Sequence, residues 1–450
     1  RGWGGGQGRV SRASGKTVWN IPRMCLFSEK YPFMGCMWRK LPSVNKHSIM
    51  LSGSVISNDM VEIYDYFIDR NLMELLSDTG INDYTKSVRL NFKIRDLWNR
   101  LVLDVPENEF AKALDSLYVN HVGEVILDSL LSKWNRRWHV SLDSAQSEWL
   151  LSRHNHYFRC RSFKKYVSKE KGLQKVEGMV YNAGREGGLV GVECNSWREN
   201  TYFNAFVEAG EAKRFSVVRS LDGYAEGMGF FMGLSANRPL VIDFEEESCS
   251  EDVASHWHVG SCWETITEEE FMANEAANEY VVDDSDADFE LVDANKTMIQ
   301  HYFPPKHSYR TLQGGHTNCW KDVLGTRFQG DSIRGARIIS GGNGKSTATW
   351  RATLPKGYYD VQVFVYKSLT IPGASLPSVI NHYTVYYGDE QEEIALSLDE
   401  ALGNKQQGWV SLGNFDFPGG GVKITLSNKE NNQNQDIAII ADAVKFVRLE

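Results

Sequence analysis

The end of the chain alternates apolar and polar residues over three segments. "QQGWVSLGNFDFPGGGVKITLSN" holds two of them around a Pro-Gly-Gly-Gly break, and "DIAIIADAVKFVRLE" follows shortly afterwards. A period of two residues places alternate side chains on opposite faces, which is typical of half-buried β-strands. Similar short segments precede them at "TATWRAT", "YYDVQVFVY", "NHYTVYYG" and "EEIALSL". With Gly, Pro and Asn turns between them, these segments predict an all-β sandwich over residues 305–450.

The alternation also predicts which side chains face the interior of this sandwich. Asp442 lies inside an otherwise apolar strand, and a buried carboxylate needs polar partners. We therefore predict that Asp442 is a structural group that accepts a hydrogen bond from a turn. The predicted inner-face residues are Trp350, Tyr359, Val361, Val363, Trp409, Val410, Leu412, Phe415, Ile424, Leu426, Ile439, Ala441 and Val444.

Four segments together resemble a known family. In order, they are "STATWRATLPKGYYDVQVFV", "HYTVYYGDEQEEIAL", "GWVSLGNFDFPGGGVKITLSN" and "IIADAVKFV". They resemble the golvesin C-terminal-like domain, also described as the xanthan-lyase carbohydrate-binding-like domain. The resemblance implies a jelly-roll-like sandwich in an exported protein, often at the envelope of Bacteroidetes-type cells. It also implies an extracytoplasmic location and a polysaccharide or cell-envelope glycan as partner.

The first part of the chain, residues 1–240, predicts a different architecture. Apolar residues at helical spacing predict helices over 58–80 and 106–134, while "SIMLSGSVIS", "SVRLNFKI" and "RWHVSLD" read as strands. From about Arg137 onward, short and often alternating segments predict mainly strands. Long helices mixed with strands, without strict alternation of the two, indicate an α+β domain of unrecognised family.

Charge divides the chain sharply. Residues 1–240 carry 33 basic and 26 acidic side chains, whereas Asp243 to Asp293 holds 18 acidic side chains and no Lys or Arg. Blocks of like charge tend to remain extended and solvated. Residues 241–304 are therefore predicted to be an acidic linker. Two arrangements remain open for it, a flexible tether or a segment that lies along the basic surface near Arg136, Arg137, Arg159, Arg161 and Lys165.

The length of 450 residues predicts two or three domains. No run of 18 consecutive apolar residues occurs, so no membrane span is predicted. Because the sequence begins with Arg1, we interpret it as part of a longer protein whose leader would lie upstream.

The seven cysteines are unevenly spaced and form no disulfide framework or zinc ribbon. Cys25 with Cys36, and Cys249 with Cys262, could form disulfides in an oxidising compartment. Cys249, His256, His258 and Cys262 also lie within one short segment, and thiolate and imidazole are zinc ligands. A disulfide, a metal site and unrelated surface residues are the three interpretations of this group.

Candidate ligand contacts are aromatic rings, because their faces stack on the apolar faces of sugar rings. Tyr309, Trp320 and Tyr387 are the candidates, since they fall at predicted loops or strand ends. The alternative is that these rings cap the edge of the sandwich.

Other motifs are incomplete. "SGGNGKSTATW" lacks the first glycine of a phosphate-binding loop and precedes a strand, which argues against nucleotide binding. Asp284, Asp286 and Asp288 alternate as in a calcium loop, but Phe289 occupies the position that needs glycine. The basic segment "RCRSFKKYVSKEKGLQK" is explained by an exposed hairpin face, so no nucleic-acid partner is predicted.

No catalytic residue is predicted, because no nucleophile elbow, zinc-protease or dinucleotide motif occurs. No cofactor is predicted either. The sequence thus favours a non-catalytic, exported, envelope-associated protein whose C-terminal sandwich serves in glycan or cell-envelope binding or in assembly. The alternative is the C-terminal part of a polysaccharide-active enzyme, a lyase or hydrolase, with its catalytic residues in 1–240 or upstream.

Overall fold

The structure is a computed structural model. It describes residues 24–31, 33–35, 37–38, 41, 65–103, 105, 107–121, 123–194, 201–221, 227–238, 241–247, 254–272, 278–295, 309–310, 317–330, 333–367, 379–388, 390–429 and 438–449. The chain divides into two compact units. One comprises Arg1–His47 and Asn71–Ser152, and the other comprises Ser48–Arg70 and Arg153–Glu450.

The first unit is mainly helical. Asn71 and Glu74 form a reciprocal capping box at the start of its first helix, and Asn82 caps the second by accepting from the Thr85 backbone N–H at 2.9 Å. Strands β1 and β2 pair in parallel. The described elements are β1 (Met24–Phe27), α1 (Leu72–Ser77), α2 (Asp83–Leu101), α3 (Glu107–Asn120), β2 (Gly123–Ile126), α4 (Leu127–Trp138) and α5 (Leu142–Leu151).

Aromatic side chains form the core of this unit. Phe110 lies at the centre, with its ring centroid 5.4 Å from that of Trp98, 5.8 Å from Trp134 and 6.0 Å from both Trp38 and Trp138. Mostly edge-to-face and tilted contacts of this kind are favourable for aromatic pairs. The cluster draws together the segment at 33–41 and helices α2, α3 and α4.

Three elements of this unit differ from the sequence prediction. "SVRLNFKI" lies inside α2 and is not a strand, because Ile94, Leu97, Trp98 and Leu101 are buried at helical spacing. The helix predicted over 106–134 is interrupted by β2, whose Gly123 has a φ of +101°. "RWHVSLD" spans the end of α4 and the start of α5.

The predicted helix over 58–80 is also divided. Residues 58–64, together with the predicted strand at 48–57, lie outside the described residues. Residues 65–69 are helical and belong to the second unit, whereas α1 belongs to the first.

From Phe158 onward the second unit forms a β-sandwich. Its described strands form a five-stranded sheet in the order β10-β3-β4-β7-β11 and a four-stranded sheet in the order β6-β5-β8-β9. Phe158, Val176, Val192, Phe215 and Phe230 belong to the buried cluster formed by the two sheets. The elements are β3 (Phe158–Ser168), β4 (Leu173–Asn182), β5 (Gly188–Cys194), β6 (Thr201–Val207), β7 (Ala212–Ser220), β8 (Met228–Met232), β9 (Val241–Asp243), β10 (Glu245–Glu247), β11 (Gly260–Ile266) and α6 (Glu268–Met272).

A second sandwich follows in the same unit. Three sheets are described, in the orders β12-β24-β18-β21, β13-β17-β22-β19-β20 and β14-β15-β16-β23. The elements are β12 (Glu279–Val282), β13 (Phe289–Val292), β14 (Tyr309–Arg310), β15 (Lys321–Leu324), β16 (Gly335–Ser340), β17 (Thr347–Leu354), β18 (Gly357–Tyr366), β19 (Ile380–Tyr387), β20 (Glu390–Ser397), α7 (Leu398–Leu402), β21 (Gln407–Phe417), β22 (Gly420–Ser427), β23 (Ala438–Ala441) and β24 (Val444–Arg448).

The structure therefore has a helical part followed by mostly β-structure. The single α+β domain predicted over 1–240 is divided between a helical unit and a β-sandwich, because the helices and the strands build separate cores. A β-rich C-terminal module agrees with the sequence prediction, whereas its jelly-roll topology stays a prediction.

The acidic segment is not a tether in this structure. Its strand β10 pairs with β3, β11 pairs with β7, β12 pairs with β24 and β13 pairs with β17. The linker prediction over 241–304 fails for these residues because backbone pairing and buried apolar side chains, such as Val282, outweigh the repulsion among the carboxylates. The segment does contact basic side chains of β3. Lys164 Nζ lies 3.7 Å from Glu247 Oε1, and Lys165 Nζ lies 3.7 Å from Glu246 Oε2.

Trp409 does not occupy the interior position predicted for it. The pairing of β18 with β21 shifts register between Val361 and Gln362, and Gly413 at this bulge has a φ of +134°. A bulge reverses the inward and outward faces of the strand beyond it. Trp409 therefore packs half-buried against Phe364 on the outside, while the other predicted inner-face residues belong to the core or pack against it.

Among the described residues, no helix is both long enough and apolar enough to cross a membrane.

The module boundary is testable with two fragments. Residues 278–450 include β12 and β13, whereas 305–450 lack both and lose Val282, Phe289 and Leu291 from the sandwich. We expect the longer fragment to unfold at a clearly higher temperature in circular dichroism. Equal unfolding temperatures would mean that the two strands contribute no stability.

The positions of the two tryptophans predict different costs of truncation. Trp350 is 1% exposed and donates to the Asp442 carbonyl at 3.0 Å, so Trp350→Ala is expected to cost about 3–5 kcal/mol of unfolding free energy. Trp409→Ala should cost roughly 1–2 kcal/mol, since the ring is half-buried. Urea unfolding of both variants measures the difference, and similar losses would contradict the register described here.

Candidate functional site

The three aromatic ligand candidates lie in different environments. The backbone of Tyr309 forms part of β14, and its side chain lies outside the described residues. Trp320 is only 8% exposed and belongs to the sandwich core. Its ring is therefore buried, whereas the sequence predicted an exposed ring. Tyr387 is half-buried, with its centroid 5.5 Å from that of Phe415, which fits the capping alternative. A role of these residues in ligand binding stays a prediction.

The predicted metal group falls only partly on described residues. His256, His258 and Cys262 are exposed, whereas Cys249 and Cys36 lie outside the described part of the chain. Within the residues that the structure describes, no three His, Cys, Asp or Glu side chains are arranged to hold a metal ion. Cys25 and Cys262 are free cysteines in this structure, so neither predicted disulfide is formed in it, while the four-residue metal site stays a prediction.

A different surface brings aromatic and polar side chains together. In the sheet β12-β24-β18-β21, Tyr359, Val361, Val363 and Phe446 point into the core. Alternate residues point the opposite way. We call this opposite surface the outer face. Phe364 points to this side but is itself buried. The outer face is formed by Glu279, Val281, Tyr358, Asp360, Gln362, Trp409, Ser411, Asn414, Asp416, Lys445 and Val447.

Strand register orders the outer face into rows. Gln362 lies opposite Ser411 on one side and Lys445 on the other, and the next row holds Asp360 between Asn414 and Val447. At one end of these rows Trp409 lies opposite Phe364, and at the other end Tyr358 lies opposite Asp416. Six residues of β18 separate the two aromatic ends, about 20 Å at the usual rise of a strand.

Three polar residues between the aromatic ends, Asp360, Gln362 and Ser411, form a connected network. Both carboxylate oxygens of Asp360 accept hydrogen bonds, one from Gln362 Nε2 at 2.6 Å and the other from Ser411 Oγ at 2.5 Å. Lys445 Nζ lies 4.8 Å from the centroid of the Trp409 ring and 3.5 Å from Glu279 Oε2. The face thus offers fixed donors and acceptors beside a half-buried indole and a 42% exposed Tyr358.

Sequence reasoning missed this face because it assigned Trp409 to the core and treated Asp360 and Gln362 as ordinary outward residues. The available signal was Gly413 within an alternating segment, since glycine inside a strand often marks a bulge. A bulge there would have moved Trp409 to the outside.

A buried carboxylate cluster lies where β12 and β23 end and β24 begins. Asp283, Asp284 and Asp442 are 7%, 6% and 1% exposed. The Gln329 backbone N–H donates to Asp442 at 3.2 Å, which confirms the predicted structural role of that residue. Asp283 accepts from Ser285 Oγ at 2.7 Å, and Asp284 lies 2.9 Å from Arg337 Nε.

Burial raises the pKa of all three carboxyls. Burial raises the pKa of Asp283 to about 6. Burial and the negative charge of Asp283 together raise the pKa of Asp284 to about 7, although the positive charge of Arg337 acts in the opposite direction. The pKa of Asp442 lies well above its ordinary value, first through burial and then through the charges of Asp283 and Asp284. The cluster therefore binds protons more tightly than the same carboxyls would in an unfolded chain.

Similarity to known proteins is limited. A family described as bacterial toxin 35 (Ntox35) matches residues 294–351, a segment that begins after β13 and ends inside β17. The match thus covers part of the second sandwich and not a complete folded module. No curated protein matches the sequence.

Weak structural neighbours include carbohydrate-active enzymes. Xanthan lyase from Paenibacillus is 12% identical, with 62% of this chain and 23% of that chain covered and a TM-score of 0.27. Bacteroides uniformis β-glucuronidase is 9% identical, covering 69% and 32%, with a TM-score of 0.21. α-L-Fucosidase from Vibrio sp. strain EJY3 is 16% identical, covering 23% and 20%, with a TM-score of 0.17. The chain spans only a fifth to a third of each, and these TM-scores establish no common fold.

The carboxylate cluster predicts how stability depends on pH. When the pKa of a group is higher in the folded chain than in the unfolded chain, its contribution to stability is fully present at pH values below the unfolded pKa. This contribution is lost as the pH rises through the folded pKa. Each tenfold change in proton affinity corresponds to about 1.4 kcal/mol. We therefore expect the unfolding temperature of the second sandwich to fall between pH 5 and pH 8.

Asp442→Asn provides the test of this pH dependence. An amide can still accept from the Gln329 N–H, but it carries no charge, so the variant should lose less stability than the wild type between pH 5 and pH 8. Asp416→Asn, which removes an exposed carboxylate, is the matched control. If the unfolding temperature of the wild type is unchanged or rises over this range, the cluster does not hold these protons.

Proposed function

We propose that this chain is a non-catalytic, exported, envelope-associated protein whose second sandwich binds glycan through the outer face. The observation that carries the proposal is the placement of Trp409 and Tyr358 at two ends of a connected polar network. Sugars are recognised by aromatic rings that contact their apolar faces and by donors and acceptors that pair with their hydroxyl groups. Asp360, Gln362 and Ser411 supply such groups between the two rings.

The shape of the face favours an extended chain over a single sugar. An open sheet surface with aromatic residues about 20 Å apart can contact several successive sugar rings. The polar groups are already hydrogen-bonded to one another, so their positions are fixed before a ligand arrives. Such preorganisation reduces the entropy cost of binding.

The golvesin-like sequence resemblance supports the same proposal from another direction. It implies an exported bacterial protein with a polysaccharide or cell-envelope glycan as partner. An extracytoplasmic location is part of the proposal on that basis. The alternative, the C-terminal part of a lyase or hydrolase, would place catalytic residues in 1–240 or upstream, and no arrangement among the described residues favours a particular catalytic group.

Affinity electrophoresis of the full chain against a panel of soluble neutral polysaccharides tests the proposal. We expect retardation by at least one polysaccharide. Trp409→Ala should reduce its affinity roughly tenfold, because the lost ring contact corresponds to about 1–1.5 kcal/mol. Tyr358→Ala should weaken binding in the same direction.

The matched control is Tyr386→Ala. Tyr386 is a half-exposed aromatic residue on the other sheet, and Lys423 lies over its ring at 3.7 Å, much as Lys445 lies over Trp409. This variant should bind like the wild type. Retardation that is equally reduced by all three variants would indicate a general loss of structure, and retardation unchanged in Trp409→Ala would exclude the outer face as the site.

A further inference from the structure

The first sandwich has a groove on the side of its five-stranded sheet that faces away from its core. The groove has a volume of about 500 Å³. Its lining includes Lys164 and Tyr166 on β3, Lys175 and Glu177 on β4, Arg214 on β7 and Glu264 on β11. Phe163, Val176 and Phe215 on the same strands point to the opposite side, into the core. The floor of the groove is therefore made of side chains from four adjacent strands.

Charged groups of both signs alternate across this floor. Lys164 lies opposite Glu177, which in turn lies opposite Ser216. Glu177 is held firmly, because one carboxylate oxygen accepts from Tyr166 Oη at 3.1 Å and the other lies 2.5 Å from Lys175 Nζ. It is a fixed acceptor at the centre of the groove.

The two remaining cations are held less firmly. Lys164 Nζ lies 3.7 Å from Glu247, and Arg214 Nη1 lies 3.5 Å from Glu264, with all four side chains more than 40% exposed. Exposed ion pairs of this kind contribute little stability. Both cations can therefore turn to a ligand at small cost, from opposite sides of Glu177.

We propose that this groove binds an acidic oligosaccharide, one that carries carboxylate groups on its sugar rings. Lys164 and Arg214 would pair with ligand carboxylates, and the planar guanidinium of Arg214 suits a two-point contact. Glu177 would accept from sugar hydroxyl groups, and the Tyr166 ring would contact an apolar face of a sugar. Donors, an acceptor and an aromatic ring in one groove match the groups that such a ligand presents.

A peptide fits the groove less well. An extended peptide normally adds to a free sheet edge through backbone hydrogen bonds. Here most of the floor consists of side chains from β3, β4 and β7, and the backbone groups of these three strands are used in pairing on both sides. A purely acidic peptide also has no side-chain hydroxyl group to donate to Glu177, whereas a sugar does.

This site is separate from the outer face of the second sandwich and does not depend on it. Trp409→Ala should leave binding at the groove unchanged, and a failure of either site can be recognised without the other.

Calorimetric titration of the full chain with oligogalacturonate tests the proposal. We expect binding that weakens when salt is raised from 0.1 to 1 M, since the Debye length falls from about 10 Å to about 3 Å. The fully methyl-esterified oligomer, which keeps the sugar but loses the charge, should bind at least tenfold more weakly. Arg214→Gln should also weaken binding about tenfold, because charge-assisted hydrogen bonds are lost.

Two variants and one further probe make the result decisive. Lys356→Gln removes an exposed charge outside the groove and should bind like the wild type. Glu177→Gln should shift the affinity ratio toward oligoglutamate, because it removes a repelling charge from both ligands but a charged hydroxyl acceptor only from the sugar. Absence of binding, an unchanged affinity in Arg214→Gln, or oligoglutamate binding as tightly as the sugar would each overturn the proposal.

Discussion

Backbone pairing by the acidic segment is the interaction on which both β-sandwiches depend. An unpaired strand leaves rows of N–H and C=O groups without partners. Strands β10 and β11 pair with strands of the first sandwich, and β12 and β13 pair with strands of the second. The same segment also joins the two sandwiches, since Asp243 accepts from Thr326 Oγ1 at 2.9 Å. Residues that look like a solvated tether thus belong to the frame that positions both candidate sites.

Much of the second sandwich could be predicted, because its strands bury one face and so alternate clearly. Val361, Val363, Ile424 and Leu426 were all recognisable as core residues, and all are buried. The helix at 83–101 was missed because short apolar alternation is compatible with either period. Its Lys93 is buried and donates to the Trp149 carbonyl at 3.0 Å, a tertiary contact that no local pattern reveals.

The sites were harder to predict than the fold, for two physical reasons. The outer face depends on a register shift at Gly413, which reverses the side on which Trp409 lies, and a single sequence does not fix register. The groove depends on pairing among β3, β4, β7 and β11, which brings together Lys164, Glu177 and Arg214 from three strands within a stretch of some fifty residues. The residue types at these positions are ordinary for exposed strands, so only the order of the strands in the sheet shows that these residues lie together.

The glutamates on two strands have a consequence for association between copies of the chain. Strand β10 consists of Glu245, Glu246 and Glu247, and β20 carries Glu390, Glu392 and Glu393; each strand ends the order of its described sheet. A terminal strand invites pairing with the same strand of another molecule, which leads to aggregation. Two copies approaching in that way would bring rows of like charge directly opposite each other. Acidic terminal strands therefore protect a chain rich in β-structure from self-assembly, most strongly at low ionic strength.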